Sequence, residues 1–472
     1  MSKLPDIKQN FPEWYQEVIY QSQLADQAPV KGCMVIRPYG TALWENIKNI
    51  LDKKIKRTGH QNAIFPLLIP LSFLEKEAKH VEGFAPELAI VTHAGGEKLE
   101  EPYVVRPTSE TVIHYMFALW IKSWRDLPMK INQWANVMRW EKRTRPFLRT
   151  TEFFWQEGHT AHETLEEADA EVETMLNEYI DLAENFLAIP VLSGMKPESE
   201  KFAGADKTFT FEGIMPDGKA LQMGTSHLIS QNFAKAFGIL FQNREGVQAY
   251  PFLTSWGAST RLIGALVMTH GDDKGLVLPP AVAPIQVVIV PIFRKGHDAQ
   301  KLVEVAQKIA ASLQDKASVH IDRDEHETPG AKFYKWELKG VPLRVEIGPR
   351  DLEQNQAVLV DRLGMAKRSV SLDHITQEIL ITLDAIQAEM YKRAKDRLKE
   401  RVLPSGKLVE FGNDLANGSF AYQTGWCQSP ECEKVLKEYK ATIRCLLDQA
   451  TQKTCFNCDL PSVCDVIVAR AY

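Results

Sequence analysis

Apolar and polar positions change rhythm along the chain. Over residues 39–57 and 164–187 apolar side chains recur every three to four positions, which gives a helix one buried stripe. Between these helices lie short runs of strand character. They include Gln133-Trp-Ala-Asn-Val-Met-Arg139-Trp-Glu141, Thr151-Glu-Phe-Phe-Trp155-Gln-Glu157 and Thr254-Ser-Trp-Gly257. Blocks of strands interrupted by helices, without regular alternation, predict an antiparallel or mixed sheet over the first 283 residues.

After Pro279, Pro280 and Pro284, which break helices and favour extended chain, the rhythm becomes regular. Strands at 286–290, 318–321, 343–347 and 357–360 are interleaved with helices at 298–314 and 332–338, the pattern of an α/β domain. A charged helix at 372–402 leads to Pro404-Ser-Gly406 and a final segment. The expected division is therefore 1–283, 284–385 and 386–472, an α/β multidomain chain with no internal repeat and no low-complexity segment.

Composition narrows the class. With 25% charged and 44% apolar residues, the 472-residue chain is ordinary for a folded protein. Fifty-six basic against 61 acidic residues give −5, so contact with nucleic acid must come from local patches rather than bulk charge. Apolar runs such as 287–293 fall short of the roughly 18 residues a membrane helix needs, and the start MSKLPDIKQNFPEWY has no secretory core; cytoplasm is the expected compartment.

Chemistry gathers in a few places. Arg139 and Glu141 share one strand face, and residues 139–149 carry five basic side chains against one acid. A hairpin with a basic loop over a charged sheet suits a polyphosphate, because guanidinium forks match phosphate oxygens. The same charges also suit a solvated hairpin, and charge alone does not separate the two readings. Arg261 follows Gly257 and Ser259 in the first turn of a helix, where it needs an anion or a carboxylate, whether ligand or structural ion pair. Arg106-Pro-Thr108-Ser109-Glu110 reads as a strand end with a Thr/Ser cap opening a helix. No GxGxxG or Walker A sequence occurs, so nucleotide binding would use another device.

Taken in order, Ile64-Phe-Pro66, the Arg139-x-Glu141 strand with its basic loop, and the Gly257 to Gly264 segment with Arg261 resemble the three signature motifs of class II aminoacyl-tRNA synthetases. Arg106-Pro-Thr-Ser-Glu110, Arg149-Thr-Thr-Glu-Phe-Phe-Trp155-Gln-Glu-Gly-His159, Gln222-Met-Gly-Thr-Ser-His227, Lys332-x4-Glu337-Leu-Lys-Gly-Val-Pro342 and the Ala471-Tyr472 ending resemble prolyl-tRNA synthetases of the archaeal and eukaryotic-like type. The resemblance covers essentially the whole chain. One departure is Thr260 before Arg261, where the class usually has Glu.

The resemblance implies an antiparallel-sheet catalytic domain, an α/β anticodon-binding domain and a small α+β zinc-containing C-terminal domain. It implies a homodimer that forms prolyl-adenylate from proline and ATP with Mg2+ and charges tRNA(Pro). Only about a hundred residues separate Glu157 from Thr254, which leaves no room for a cis-editing insertion. By motif position, Arg139 grips the α-phosphate and the amino-acid carboxylate, Glu141 faces the adenine amino group, and Arg261 clamps the γ-phosphate. Thr151, Gln222 and Thr225 contact adenine and ribose; Thr108 and Glu110 hold the proline ammonium; Trp155, His227 and Ser259 surround the amino acid. Lys332, Glu337, Lys339 and Arg344 are the anticodon candidates, while Phe333 and Trp336 suit either base stacking or the core. Residues 391–402, net +4, suit tRNA phosphate or a solvated face.

Six of seven cysteines lie between Cys427 and Cys464. Cys427-x4-Cys432 and Cys455-x2-Cys458 have the spacing of one four-cysteine zinc site, the alternative being two disulfides, which a cytosolic setting disfavours. Cys445 and Cys464 are spare, with Cys464 able to replace a ligand. Two other functions compete with proline activation. One is a synthetase-like tRNA-binding protein without catalysis, which would have no need of Arg139, Glu141, Arg261, Thr108 and Glu110 together. The other is a threonine enzyme, which needs a catalytic zinc with cysteine and histidine ligands.

Overall fold

The hairpin read from residues 133–157 lies towards one end of the largest sheet. In the structure, a computed structural model that describes residues 3–80, 88–293, 299–365 and 367–472, β1 (Met129–Met138) and β2 (Glu152–His162) pair from Met129↔Ala161 to Met138↔Glu152. β3 (Leu192–Met195), β4 (Lys207–Ile214), β5 (Ala220–Ser230) and β6 (Phe252–Ser259) extend it in the order β3-β4-β5-β6-β2-β1. All these neighbours are antiparallel, as the irregular strand blocks predict.

Helices pack on this sheet by their apolar stripes. α1 (Pro38–Arg57) starts on a proline and buries Leu43, Trp44, Ile47, Leu51 and Ile55. α2 (Glu110–Trp120) opens beside the cavity described below, and α3 (Leu165–Asp181) is capped by Thr164, which accepts from the Glu167 N–H at 3.2 Å. Tyr179 of α3 stacks on Phe211 with ring centroids 5.4 Å apart, and Trp256 meets Tyr179 edge-on. Side chains of this size contribute roughly 1.5–3 kcal/mol each when fully buried. The expected helix over 164–187 ends at Asp181, after which residues Leu182–Phe186 widen into a π-turn. α4 (Arg261–His270) is buried from Leu262 to His270. Leu68–Pro70, Ala89–Ala94 and Glu97–Val105 form a separate antiparallel sheet, in which Gly95 and Gly96, at φ +63° and +87°, make the two-residue turn.

Beyond the proline-rich border, β7 (Val287–Pro291), β8 (Val319–Ile321), β9 (Leu343–Ile347), β10 (Gln356–Asp361) and β11 (Lys367–Ser371) form a mixed sheet in the order β8-β7-β9-β10-β11. β7 is parallel to both neighbours and buried at every position, so its sequence shows no alternation. α5 (Ala299–Ser312), α6 (Pro329–Leu338) and α7 (Ile375–Arg401) match the expected helices, although position 298 lies outside the described residues. β11 went unanticipated because it is an edge strand with Val370 alone buried.

The C-terminal segment contributes β12 (Val402–Pro404), α8 (Leu408–Asn417), β13 (Ala421–Trp426), β14 (Thr442–Leu447) and β15 (Cys464–Ala469). Its strands are not a free-standing sheet. β14 meets β3 at Leu446↔Met195, and with Gln61–Asn62 paired parallel to β1 at the other end this makes a continuous eleven-stranded sheet. A Cβ at Gly194 would come within 2.0 Å of the Leu446 carbonyl oxygen, so glycine permits this close approach. α7 ties the three regions: Gln387 donates to Asn185 O at 3.0 Å, and Arg397 donates to Thr269 O. In the 391–402 segment Arg393 pairs with Glu389 and Arg401 donates to Ser419 O, so much of its +4 charge has partners within the protein.

Candidate active site

Seven of the residues picked from sequence line one cavity of 510 Å³: Thr108, Glu110, Arg139, Trp155, Gln222, Thr225 and His227. This size suits a small-molecule site. β1 ends one residue before Arg139, whose N–H donates to Thr151 O at 2.8 Å and whose Nε donates to Pro107 O at 3.0 Å. Its guanidinium lies 5.2 Å from the Trp155 ring centre and 5.5 Å from that of Phe153. Burial lowers the Arg139 pKa, and Glu157, Glu110 and Glu141 oppose that shift, so the cation is kept.

The expected cap of α2 is different in kind. The Ser109 side chain makes no cap bond; instead Thr108 Oγ1 accepts from the Glu110 N–H at 3.2 Å, and the Glu157 carboxylate accepts from the Ser109 N–H at 3.1 Å. Glu157 also accepts from Thr108 Oγ1 at 2.9 Å and Gln133 Nε2 at 3.0 Å. Burial raises its pKa, but His159 and the Ser109 bonds outweigh this and hold it ionised. Beside it, Glu110, His114 and His159 bring potential ligand atoms within 4.8 Å of one another, all buried. Burial, reinforced by His159, keeps His114 neutral.

His227 is locked: Nδ1 is 3.0 Å from Thr208 Oγ1, Nε2 is 2.8 Å from Thr225 Oγ1, and Phe202 packs 4.8 Å away. Burial, with a smaller effect of His159, lowers it to about 3, so a neutral ring walls the cavity. Gln222 and Thr225 differ in parity, yet both face the cavity. The reason is a bulge: Phe211 pairs with Gly224 and Glu212 with Gln222, leaving Met223 extra.

Arg261 lines a second recess of 280 Å³, where Arg143, Arg145, Arg149, Lys219 and Arg470 join it beside Tyr472. Among the described residues no acidic side chain lines this recess, which suits it to polyphosphate. Arg261 Nε donates to Leu148 O and its Nη1 to Gln222 O, both at 3.1 Å, which links the two recesses. Burial, Arg139 and Arg149 lower its pKa to about 10 against the pull of Glu212 and Glu141.

Glu141, Thr151 and Ser259 do not line either recess. Glu141 faces Arg149 at 3.9 Å; Thr151 is buried, its N–H donating to Gly32 O; Ser259 Oγ accepts from the Arg261 N–H at 3.2 Å, at the first residue of α4. Glu157, His159 and Phe202 line the first cavity and were not assigned from sequence. The alternation Trp155, Glu157, His159 along β2 could have found two of them.

The anticodon candidates fare differently. Lys332 is 1% exposed and donates to Asp322 O at 3.0 Å, which corrects its reading as a nucleotide contact: a buried, paired ammonium belongs to the core. Trp336 is likewise core, its indole N–H donating to Asp322 at 2.7 Å. Glu337 approaches Lys274, Lys339 lies over the Tyr39 ring, and Arg344 pairs with Glu346 above Phe333. These three half-buried side chains already have partners, two of them across the seam to residues 39 and 274.

At the C-terminal end Cys427, Cys432, Cys455 and Cys458 converge, with sulfurs all within 4.8 Å and the 427–432 and 427–458 pairs at 3.7 Å. A disulfide needs about 2.05 Å. A tetrahedron of Zn–S bonds of about 2.3 Å has edges of about 3.8 Å, so the donor set fits zinc. Cys464 is outside the cluster, accepting from Gln428, and Cys445 is buried elsewhere in the sheet.

Comparison with known proteins agrees with this geometry. Residues 92–270 match the tRNA synthetase class II core domain (G, H, P, S and T), 286–381 the anticodon binding domain, and 408–472 the prolyl-tRNA synthetase C-terminal family. Proline--tRNA ligase 2 of Clostridioides difficile (strain 630) is 51% identical over 476 residues, covering 100% of this chain and 98% of the relative. The proline--tRNA ligase of Natranaerobius thermophilus is 51% identical over 98% of this chain and 97% of its own. The crystal structure of Cryptosporidium parvum prolyl-tRNA synthetase with L-proline and AMP superposes with a TM-score of 0.94 at 39% identity, covering 100% of this chain and 97% of that one. The same enzyme with halofuginone and AMPPNP gives 0.95 at 40% identity, over 99% of each chain. The chain therefore belongs to the prolyl-tRNA synthetase family of class II aminoacyl-tRNA synthetases.

Proposed function

We propose that this protein activates proline with ATP to prolyl-adenylate and transfers the prolyl group to the 3′ end of tRNA(Pro). The observation that carries the reading is the pairing of two recesses. One holds a buried carboxylate, Glu110, among Trp155, Phe202 and His227; the other gathers basic side chains around Arg261. A small apolar ring with a cationic nitrogen fits the first, and a pyrophosphate leaving group fits the second.

In the first step a proline carboxylate oxygen attacks the α-phosphorus and pyrophosphate leaves; in the second a ribose hydroxyl of the tRNA end attacks the acyl carbon and AMP leaves. Thr108 and Glu110 hold the ammonium, and Trp155 and His227 wall the ring. Arg139 grips the α-phosphate and carboxylate, where preorganised charge lowers the barrier. Arg261 clamps the γ-phosphate, Gln222, Thr225 and Thr151 serve adenine and ribose, and Glu141 faces the adenine amino group. Ser259 acts on this site through its bond to Arg261. Mg2+ arrives with the phosphates and neutralises their charge.

The four-cysteine cluster holds structural Zn2+; the 3.7 Å sulfur separations support this. The division into a catalytic part (1–283), an anticodon-binding part (284–385) and a zinc-bearing part (386–472) goes with these roles, as does tRNA contact by Glu337, Lys339 and Arg344, whose present pairs a base would displace. A homodimer is supported by apolar side chains left open around the Ile64 segment and α2: Ile64 is 93% exposed, with Leu119 at 51% and Trp120 at 42%. No helix among the described residues is long and apolar enough to cross a membrane, and we place the protein in the cytoplasm.

Amino-acid-dependent exchange of pyrophosphate into ATP, run with each of the twenty amino acids, tests the reading. Exchange with proline supports it. Exchange with threonine alone points to another substrate, and exchange with none points to a tRNA-binding protein.

A further inference from the structure

Glu212 is a carboxylate with no exposed surface, lying at the join of the catalytic and C-terminal strands. It accepts from Lys196 Nζ at 2.6 Å, from Arg444 Nε at 2.8 Å and Nη2 at 3.1 Å, and from Thr210 Oγ1 at 3.2 Å. Arg444 belongs to β14, 232 residues away, and Lys196 follows β3. Arg444 is itself buried and oriented by Thr442, to which its Nη1 donates at 2.9 Å. In the β4–β5 ladder Glu212 stands directly opposite Gln222, on the near side of the bulge that turns Gln222 to the cavity. Gln222 in turn gives its carbonyl to Arg261.

We propose that Arg444 is a positioning residue for ATP: from the C-terminal segment it holds Glu212, and through Glu212 the Gln222 bulge and Arg261, in the geometry that receives the nucleotide. This rests on the ATP reaction proposed above. The physical reason is that a carboxylate in a dry site is fixed in place by the geometry of its charged donors. Bound to Arg444 by a two-pronged fork and to Lys196, Glu212 is fully compensated. Its charge also acts on Arg261, where it opposes the lowering caused by burial, Arg139 and Arg149. Without Arg444 the carboxylate keeps Lys196 but loses the fork that fixes both its oxygens, so Glu212 and the Gln222 opposite it are no longer held, and Arg261, bonded to the Gln222 carbonyl, is released with them. Of the proline-recognising residues, Thr108, Glu110 and Trp155 are built on α2, the loop before it and β2, and His227 alone shares a strand with Gln222.

The test measures ATP and proline KM by pyrophosphate exchange for Arg444→Ala, Arg444→Lys, Glu212→Gln and the double Arg444→Ala/Glu212→Gln, together with AMPPNP affinity by calorimetry and zinc content. Arg444→Ala should raise the ATP KM and weaken AMPPNP about tenfold, with the proline KM within about twofold and zinc unchanged. The double variant should lose no more ATP affinity than Arg444→Ala alone, because both substitutions break the same Arg444–Glu212 link. Equal effects on both substrates, unchanged ATP affinity, or a double variant weaker than the single one would each overturn the proposal. Should Arg444→Ala fail to fold, Arg444→Lys, which keeps the charge but not the fork, must still show a selective ATP defect. A wild-type protein that shows no proline-dependent exchange sinks the functional reading, while the AMPPNP measurement still decides the role of Arg444.

Discussion

Glu157 accepts from the Ser109 N–H at 3.1 Å and from Thr108 Oγ1 at 2.9 Å, so a carboxylate on a central strand caps the helix that carries Glu110. The negative end of this cap lies where the helix dipole is positive. It fixes Thr108 and Glu110 relative to Trp155, two positions before Glu157 on the same strand face.

Glu157→Ala leaves the Ser109 N–H and the Thr108 hydroxyl without their acceptor. Urea unfolding should show a loss of about 1–3 kcal/mol, and the proline KM should rise more than the ATP KM. Because the Glu157 pKa is held below its unfolded value, its contribution is present above the usual carboxylate range. It is lost as pH falls through the folded value, and Glu157→Gln should show less of this acid dependence.

Acid should also weaken the fold through neutral buried histidines. Burial holds His227 and His270 at about 3 and His162 at about 4, all below an ordinary 6.5. The unfolded chain takes up these protons first, so stability is full above pH 6.5 and declines as pH falls toward those values. Urea midpoints at pH 7, 6 and 5 should decrease in order. His227→Gln should reduce the slope below pH 6 by one proton, about 1.4 kcal/mol per pH unit.

Arg139→Ala and Arg261→Ala should separate two functions. On the proposed role of Arg139 in gripping both reactants, removing it should lower the exchange rate by about a hundredfold or more. Removing Arg261 should act mainly through the ATP KM. Equal and purely proline-dependent defects would contradict both assignments. Circular dichroism of both variants should match the parent.

Zinc analysis discriminates within the cysteines. Cys455→Ser should lose stoichiometric zinc and lower the melting temperature of the C-terminal region, because four thiolates are needed to close the site. Cys464→Ser should keep a full complement, since its sulfur stands outside the cluster.

Ile64→Arg places a charge on a side chain 93% exposed in the single chain. Sedimentation of the parent should give a dimer, and the variant should shift toward monomer at micromolar concentration. An unchanged dimer would remove the Ile64 face from the interface.

Much of the site was legible because its chemistry is written locally. Arg139, Trp155 and Thr108 could be placed by strand parity and motif order, and the four cysteines by spacing. Lys332 was misread because a lysine in an amphipathic helix looks the same whether it meets solvent or Asp322. Glu157 and His159 went unassigned, although they sit two and four residues beyond Trp155. Glu212 and Arg444 could not be paired at all, because nothing short-range marks a carboxylate whose partner is 232 residues away.

The sequence by itself determined the order of elements, the basic hairpin, the cysteine set and the motifs of the family, since each depends on residues close together along the chain. The tertiary structure alone decided how they work together. Strand pairing turned Gln222 to the cavity by one extra residue, joined the C-terminal strands to the catalytic sheet at Gly194, and buried Glu212 between Lys196 and Arg444. Register and burial are set by contacts between distant segments, and their energies appear only once those segments have met.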